Sequence, residues 1–336
     1  MAEKTPDIKI FVSHRIDINS ELVDNPLYIP VRCGAVFDAE NPMNIAGDDT
    51  GDNISEKRMS FCEFTVQYWA WKNVEADYYG LCHYRRYLSF SENRYPTDEY
   101  NMVFSPMLMN SEKRIFGLLD TDRMTEKIQH YDLIVSEYAE VSNIPTPHGR
   151  KTTVQEMWGA YDGEFFEKKV IDWMFRLIDE KSPGYGQSAR EYFAGTQHRG
   201  FNCYVMRQEL FDRLCQFQFP IMFEIDRRLD ATGYTQTMRR TPAFVGEMLY
   251  GIFIYHVTTK EQWRVCERQL VFFRNTERIR GIGDLLKRWL WYGADRALRS
   301  MVDPIFPKGS RRRERLKDLF YALTPAKRRG VASIKE

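Results

Sequence analysis

None of the six cysteines forms a CxxC pair. Cys33, Cys62, Cys82, Cys203, Cys215 and Cys266 are scattered, several inside apolar segments, so reduced and mostly buried thiols are expected instead of a disulfide framework. The six histidines show no HExxH-like metal spacing, and no Ser or Cys stands in a nucleophile elbow. Gly184-Tyr185-Gly186 and Gly281-Ile282-Gly283 do not extend to a dinucleotide fingerprint behind a strand, so both read as loops. No charge excess of either sign exists: 48 basic and 47 acidic residues leave a formal +1, which argues against nucleic acid as a partner. Met1–Asp7 lacks an apolar signal core, and the most apolar later run, Phe244–Val257, is short and interrupted by Glu247. Neither export nor a membrane span is expected, which makes the cytoplasm the expected compartment.

What is present suffices for a large core: 43% of the 336 residues are apolar and 14% aromatic. The charge is unevenly spread. Residues 281–336 hold 14 Lys/Arg against 6 Asp/Glu, a net +8 that leaves −7 for residues 1–280. Lys9–Ser13 (KIFVS) is a β-branched and aromatic run that suits a first strand, ending at His14-Arg15. Asn41–Asn53 is a loop by composition, and Asn53 with Glu56 three positions on suits a capping box opening a buried helix to about Asn73. Asp77–Leu88 then reads as a strand that begins apolar and ends cationic, completing a βαβ unit. Tyr131–Ser136 and Phe201–Met206 are further strands, each followed by a helical stretch. The alternation predicts an α/β domain with a mainly parallel sheet, whose ligands bind at the strand carboxyl ends.

Three constellations carry polar chemistry. The loop Asp48–Asn53 sets three carboxylates at the head of the helix, where it either orients a carboxylate, a phosphate or a divalent cation, or is a polar turn with Asn53 as a simple cap. Inside that helix Glu56, Ser60, Glu63 and Gln67 form one polar stripe, which either faces a wet cleft or pairs with a cation such as Arg85. His83-Tyr84-Arg85-Arg86 sets two guanidinium groups at a strand end, either to clasp a diphosphate or as structural ion-pair residues. Strand alternation would put His83 and Arg85 on one face and Tyr84 and Arg86 on the other, so that one Arg meets a given ligand. Arg239–Glu247 leads into an apolar helix, where Glu247 is read in the first turn, behind Gly246, as a proton acceptor or as a complement to the helix dipole.

The stretch Gly51–Leu88 (GDNISEKRMSFCEFTVQYWAWKNVEADYYGLCHYRRYL) closely resembles the signature of the domain of unknown function 4422 family, regarded as glycosyltransferases of capsular and exopolysaccharide gene clusters. His14-Arg15, Tyr28-Ile29-Pro30 and Gly34-Ala35 also fit, and a looser resemblance runs through Asn202 and Phe211–Ile225 to about Glu247. Arg15 stands where the family usually has Lys, and Gly246-Glu247-Met248 where Glu-Arg-Leu is expected. The resemblance implies a GT-A-like mainly parallel sheet with flanking helices over residues 8–280, followed by a basic helical C-terminal extension over 281–336. It further implies transfer of a hexose, with galactose or galactofuranose as candidates, from a nucleotide-diphosphate sugar to a lipid-linked or oligosaccharide acceptor. Glu247 and Asp52 are then the catalytic candidates, and His14, Arg15, Asn53, His83, Tyr84, Arg85 and Arg86 the donor-binding ones. Glu63, Asn202 and Arg240 are candidates for the acceptor site or for supporting contacts. No Asp-x-Asp follows an apolar strand; HYRR stands in its place, so cationic side chains replace a metal unless Asp49 and Asp52 hold Mg or Mn. The rival reading is a non-catalytic carbohydrate or nucleotide-sugar binding protein. The tail mixes aromatic and basic residues in Leu285–Trp291, Leu298–Ile305 and Arg311–Leu323, and either docks peripherally on an anionic membrane or packs on the main domain.

Overall fold

The computed structural model describes residues 5–305. In chain order the strands are β1 (Ile8–Arg15), β2 (Tyr28–Cys33), β3 (Ala46–Gly47), β4 (Tyr78–His83), β5 (Arg86–Leu88) and β6 (Met102–Met107). They continue with β7 (Leu133–Ser136), β8 (Ala139–Glu140), β9 (Gln197–His198), β10 (Tyr204–Arg207), β11 (Val265–Arg268) and β12 (Leu270–Asn275). Ten of them join one mixed sheet ordered β11-β7-β10-β4-β1-β2-β3, from which β5, β12 and β6 branch beside β4. The central strand β1 is parallel to both β2 and β4. Against expectation, β10 is antiparallel to both of its neighbours, β4 and β7. Tyr204, the first residue of β10, pairs with Leu81 and Val135 near the carboxyl ends of those strands, so the chain enters the sheet at its ligand-binding end and must run back.

Period-two alternation sorts the strand side chains into two cores. Phe11, Leu81, Leu133, Val135, Tyr204 and Met206 meet a helical layer. Ile10, Val12, Cys82, Ile134 and Val205 face the opposite side, with Tyr87, Val271 and Phe273 of the branch. The helices in chain order are α1 (Arg58–Phe61), α2 (Phe64–Asn73), α3 (Asn110–Ile115), α4 (Thr121–Gln129) and α5 (Val154–Gly159). After them come α6 (Lys169–Lys181), α7 (Gly186–Ala194), α8 (Gln208–Arg228), α9 (Thr241–Thr259) and α10 (Ile282–Ile305). The apolar helix α9 lies inside the helical layer, and Gly246 permits the approach: a Cβ there would stand 2.5 Å from Cζ of Phe64 on α2.

The single helix expected from Asn53 to Asn73 is broken. A 3-10 turn at Ser55–Lys57 precedes α1, and Cys62, at φ 51°, separates α1 from α2. Asn53 does not cap it: its side chain accepts from Ser55 N at 3.2 Å and donates to Gly51 O at 3.0 Å, and no capping box with Glu56 forms. The segment is organised around Asp48 instead. This buried carboxylate accepts from the amides of Gly34 and Ala35 at 2.9 Å each and from the hydroxyls of Ser55, at 2.6 Å, and Thr65. It thereby ties the left-handed Gly34 turn after β2 to both sides of the helix break. Asp48→Ala would leave two buried amides and two hydroxyls without an acceptor and is expected to lower stability by about 2 kcal/mol. Urea denaturation measures this, and a midpoint equal to wild type would show that the loop is held by other contacts.

Candidate functional site

Two cavities open beside one another and share the wall Glu63, His83, Arg85, Thr237 and Arg240. The smaller, about 550 Å³, lies off the carboxyl ends of β1, β2 and β4, where Ser13, Arg15, Cys33 and Tyr84 meet Arg58 and Met59 of α1. The larger, about 730 Å³, is lined by aromatic rings, including Tyr100, Trp158, Tyr161, Phe165, Phe201 and Phe272, together with four arginines and three carboxylates. Both volumes lie in the range of about 300–1,000 Å³ typical of ligand sites.

The HYRR segment does not alternate as a strand. β4 ends at His83, Tyr84-Arg85 forms a turn, and β5 starts at Arg86, which pairs antiparallel with His83. The reversal abolishes the two-face separation, so Arg85 and Arg86 both line the larger cavity, and Arg85 the smaller one too. Arg86 lies over the Phe201 ring at 4.6 Å and Arg85 over Phe272 at 5.4 Å. Burial, and then the neighbouring Arg85, lower the pKa of Arg86. Nε of each arginine and Nδ1 of His83 are buried without a hydrogen-bond partner among the described residues. Buried guanidinium donors left in this way are costly unless an anion completes them. Burial and the adjacent Arg86 and Arg85 also drive the His83 pKa well down, which keeps its imidazole neutral.

Glu247 is not in the first turn of its helix. α9 begins at Thr241, with Pro242 at its start, which places Glu247 in the second turn, pointing into the larger cavity. Its carboxylate accepts from Phe201 N at 2.8 Å. Burial raises its pKa; the Phe201 amide opposes the rise, and Glu63 adds to it. The loop that delivers this amide is strained: Phe201 and Asn202 stand consecutively at φ 72° and 44°. Non-glycine residues occupy this region at a cost, typically where function fixes the backbone. Asn202 also donates from Nδ2 to Oε1 of Glu63 at 3.3 Å, while its own Oδ1 has no partner among the described residues. Gly200 leaves room for Glu247, since a Cβ there would fall 2.6 Å from its Oε1.

Arg15 pairs with Asp17, which also accepts from Arg58 at 3.0 Å, so the floor of the smaller cavity is cationic on balance. His14 lines neither cavity; it is buried beside Tyr84, and burial brings its pKa down to about 3. Arg240 sits in the shared wall with Nε 3.0 Å from Cys62 Sγ. Asp49, Asp52 and Asn53 line neither cavity, and the Asp52 carboxylate accepts from Tyr68 OH at 3.2 Å. The structure therefore does not bring Asp52 together with Glu247. Among the described residues no group of three or more His, Cys, Asp or Glu side chains is placed to hold a metal ion. Sequence reasoning did not reach Arg58, Trp158, Phe165, His198 or Phe272 as cavity residues. His198, with Nδ1 2.9 Å from Tyr192 OH and a pKa lowered by burial to about 4, is a neutral ring in that wall.

A sheet with parallel strands at its centre, helices against it and a cationic cavity at the strand carboxyl ends defines a GT-A-like α/β fold. Residues 9–260 match the model of the family described as a domain of unknown function (DUF4422), and the chain belongs to that family. It is also similar to a solved structure described as the apo form of the bifunctional glycosyltransferase WbbM, with a TM-score of 0.72 and 25% sequence identity. The similarity covers 82% of this chain and 47% of that one, so this chain spans about half the length of WbbM. No curated protein gives a sequence match.

Proposed function

We propose that the protein is a glycosyltransferase that moves a hexose from a nucleotide-diphosphate sugar to a lipid-linked or oligosaccharide acceptor of a surface polysaccharide. The observation that carries this reading is the pair of cavities with an arginine-bearing common wall, the smaller at the strand carboxyl ends with Arg15 and Arg58 and the larger lined by aromatic rings with the buried carboxylate of Glu247. The smaller cavity suits the nucleotide diphosphate, with Arg15, Arg58 and Arg85 as its cations. The larger suits the acceptor, because sugar rings pack on aromatic faces.

In the transfer, the bond between the anomeric carbon and the diphosphate oxygen breaks and negative charge grows on the leaving diphosphate. In this reading Arg85, which lines both cavities, stabilises that charge. The acceptor hydroxyl attacks the anomeric carbon and gives its proton to Glu247. Guanidinium groups take the role a divalent cation would otherwise fill at the diphosphate. A non-catalytic binder would have little use for the strained Phe201-Asn202 loop that holds Glu247, which favours an enzyme.

The test incubates labelled UDP-, GDP- and dTDP-hexoses, galactose and galactofuranose included, with the protein in chelator. One donor is expected to raise the melting temperature, since a ligand stabilises only the state it binds, and to be turned over by transfer or by slow hydrolysis. A melting shift without any turnover across acceptors would make the chain a binding protein.

A further inference from the structure

The amphipathic helix α10 carries an exposed apolar stripe next to the larger cavity, and we propose that it docks this face of the molecule on an anionic lipid surface. The first turns of α10 are fixed to the domain. Arg288 donates to Oδ1 of Asn275 at the end of β12 and pairs with Glu277 at 3.7 Å, and Tyr292 stacks on Phe104 with the rings 13° apart. Tyr292 and Phe104 both line the larger cavity, so the helix forms part of its rim.

With that side of the helix engaged, Ile282, Leu286, Trp289 and Leu290 remain exposed, at 78%, 58%, 43% and 75%. Their spacing of four, three and one places them on one helical face. The Trp289 ring meets Tyr292 edge to face at 6.0 Å, yet all four remain substantially exposed, and water contact with a group of large apolar side chains is unfavourable. Arg278 and Arg280 just before the helix and Lys287 within it are exposed, the carboxylates of Glu277 and Asp284 are paired with Arg288, and the sequence from residue 281 onward carries a net +8. An apolar face with Trp and a cationic border is complementary to the headgroup region of an anionic bilayer, where Trp prefers to reside. No helix among the described residues is long and apolar enough to cross a membrane, which fits a helix lying in the interface. Docking through this stripe would bring the aromatic cavity to the lipid surface.

The test uses the full chain and sedimentation with vesicles of phosphatidylcholine, with or without phosphatidylglycerol. Wild type is expected to sediment with the anionic vesicles and to be released as salt screens the attraction. Leu286→Glu/Leu290→Glu is expected to reduce the partition coefficient about tenfold or more, with an unchanged melting temperature because both positions are exposed. Wild type left in the supernatant, equal sedimentation with neutral vesicles, or equal sedimentation of the variant would each overturn the proposal. So would a wild type that ignores vesicles while the same substitutions dissociate a dimer or lower the melting temperature, since the stripe would then be covered by a second copy or by residues 306–336. No sugar enters this measurement, so its failure leaves the glycosyl-transfer reading untouched.

Discussion

Glu247→Gln is expected to lower turnover by about 100-fold or more, the low end of what removal of a general base costs. Nucleotide affinity should stay near wild type, because Glu247 lines the larger cavity and not the smaller. Burial holds the Glu247 carboxyl above its ordinary pKa, and a base works only when deprotonated. Activity should therefore rise with pH along an acid limb that lies above the usual carboxylate range. The linkage has the opposite sign for stability. A carboxyl whose pKa is raised on folding favours the fold below its unfolded-state pKa and loses that contribution as pH rises through the folded value. Once the pH exceeds that folded-state value the ionised Glu247 is thus a burden on the fold, and there the Gln variant should melt at the same temperature or higher. A variant that is inactive and also more stable would separate a catalytic carboxylate from one that merely supports the helix. Turnover equal to wild type with saturating acceptor would return Glu247 to a structural role and direct the search for a base to Glu63, the carboxylate of the shared wall.

The parts of this site that could be read in the sequence are those encoded locally. Lys9–Ser13 and Asp77–His83 declare themselves as strands through alternating apolar and aromatic residues, and their carboxyl ends carry Arg15 and the HYRR segment. What could not be read is set by distance or by backbone conformations their residue types do not announce. Glu63, Asn202 and Glu247 are far apart in sequence and converge only because β10 enters the sheet at the ligand-binding end. Left-handed Cys62, Phe201 and Asn202 break a helix and shape a loop at positions where no glycine gives warning. Nor does the acidic loop announce which of its carboxylates is buried: it is Asp48, which binds amides and hydroxyls of its own chain. Asp52, drawn from the same cluster, remains at the surface. The aromatic lining of the larger cavity comes from six separate stretches of chain, each of which reads alone as ordinary core.

Arg85→Ala is expected to weaken binding of the cognate nucleotide diphosphate by about 1.5–3 kcal/mol, or roughly 10- to 150-fold, as loss of a charge-assisted contact requires. Arg86→Ala should act differently, for a reason other than strand alternation. The turn at Tyr84-Arg85 directs both arginines to the site, but Arg86 reaches only the larger cavity. Its loss should therefore fall on turnover and acceptor saturation more than on nucleotide affinity. The two guanidinium groups also oppose one another: burial and the proximity of Arg85 lower the Arg86 pKa. Without ligand, removal of Arg86 relieves part of that opposition, so the ligand-free variant should be at least as stable as wild type. Both arginines share the Phe272 ring, within 5.5 Å, and a double-mutant cycle should accordingly show coupling between them. Calorimetric titration of each variant with the nucleotide diphosphate is the deciding measurement. If Arg85→Ala and the double variant both bind as tightly as wild type, the smaller cavity is not the diphosphate site, and the unpartnered donors of the HYRR turn must be completed by some other anion.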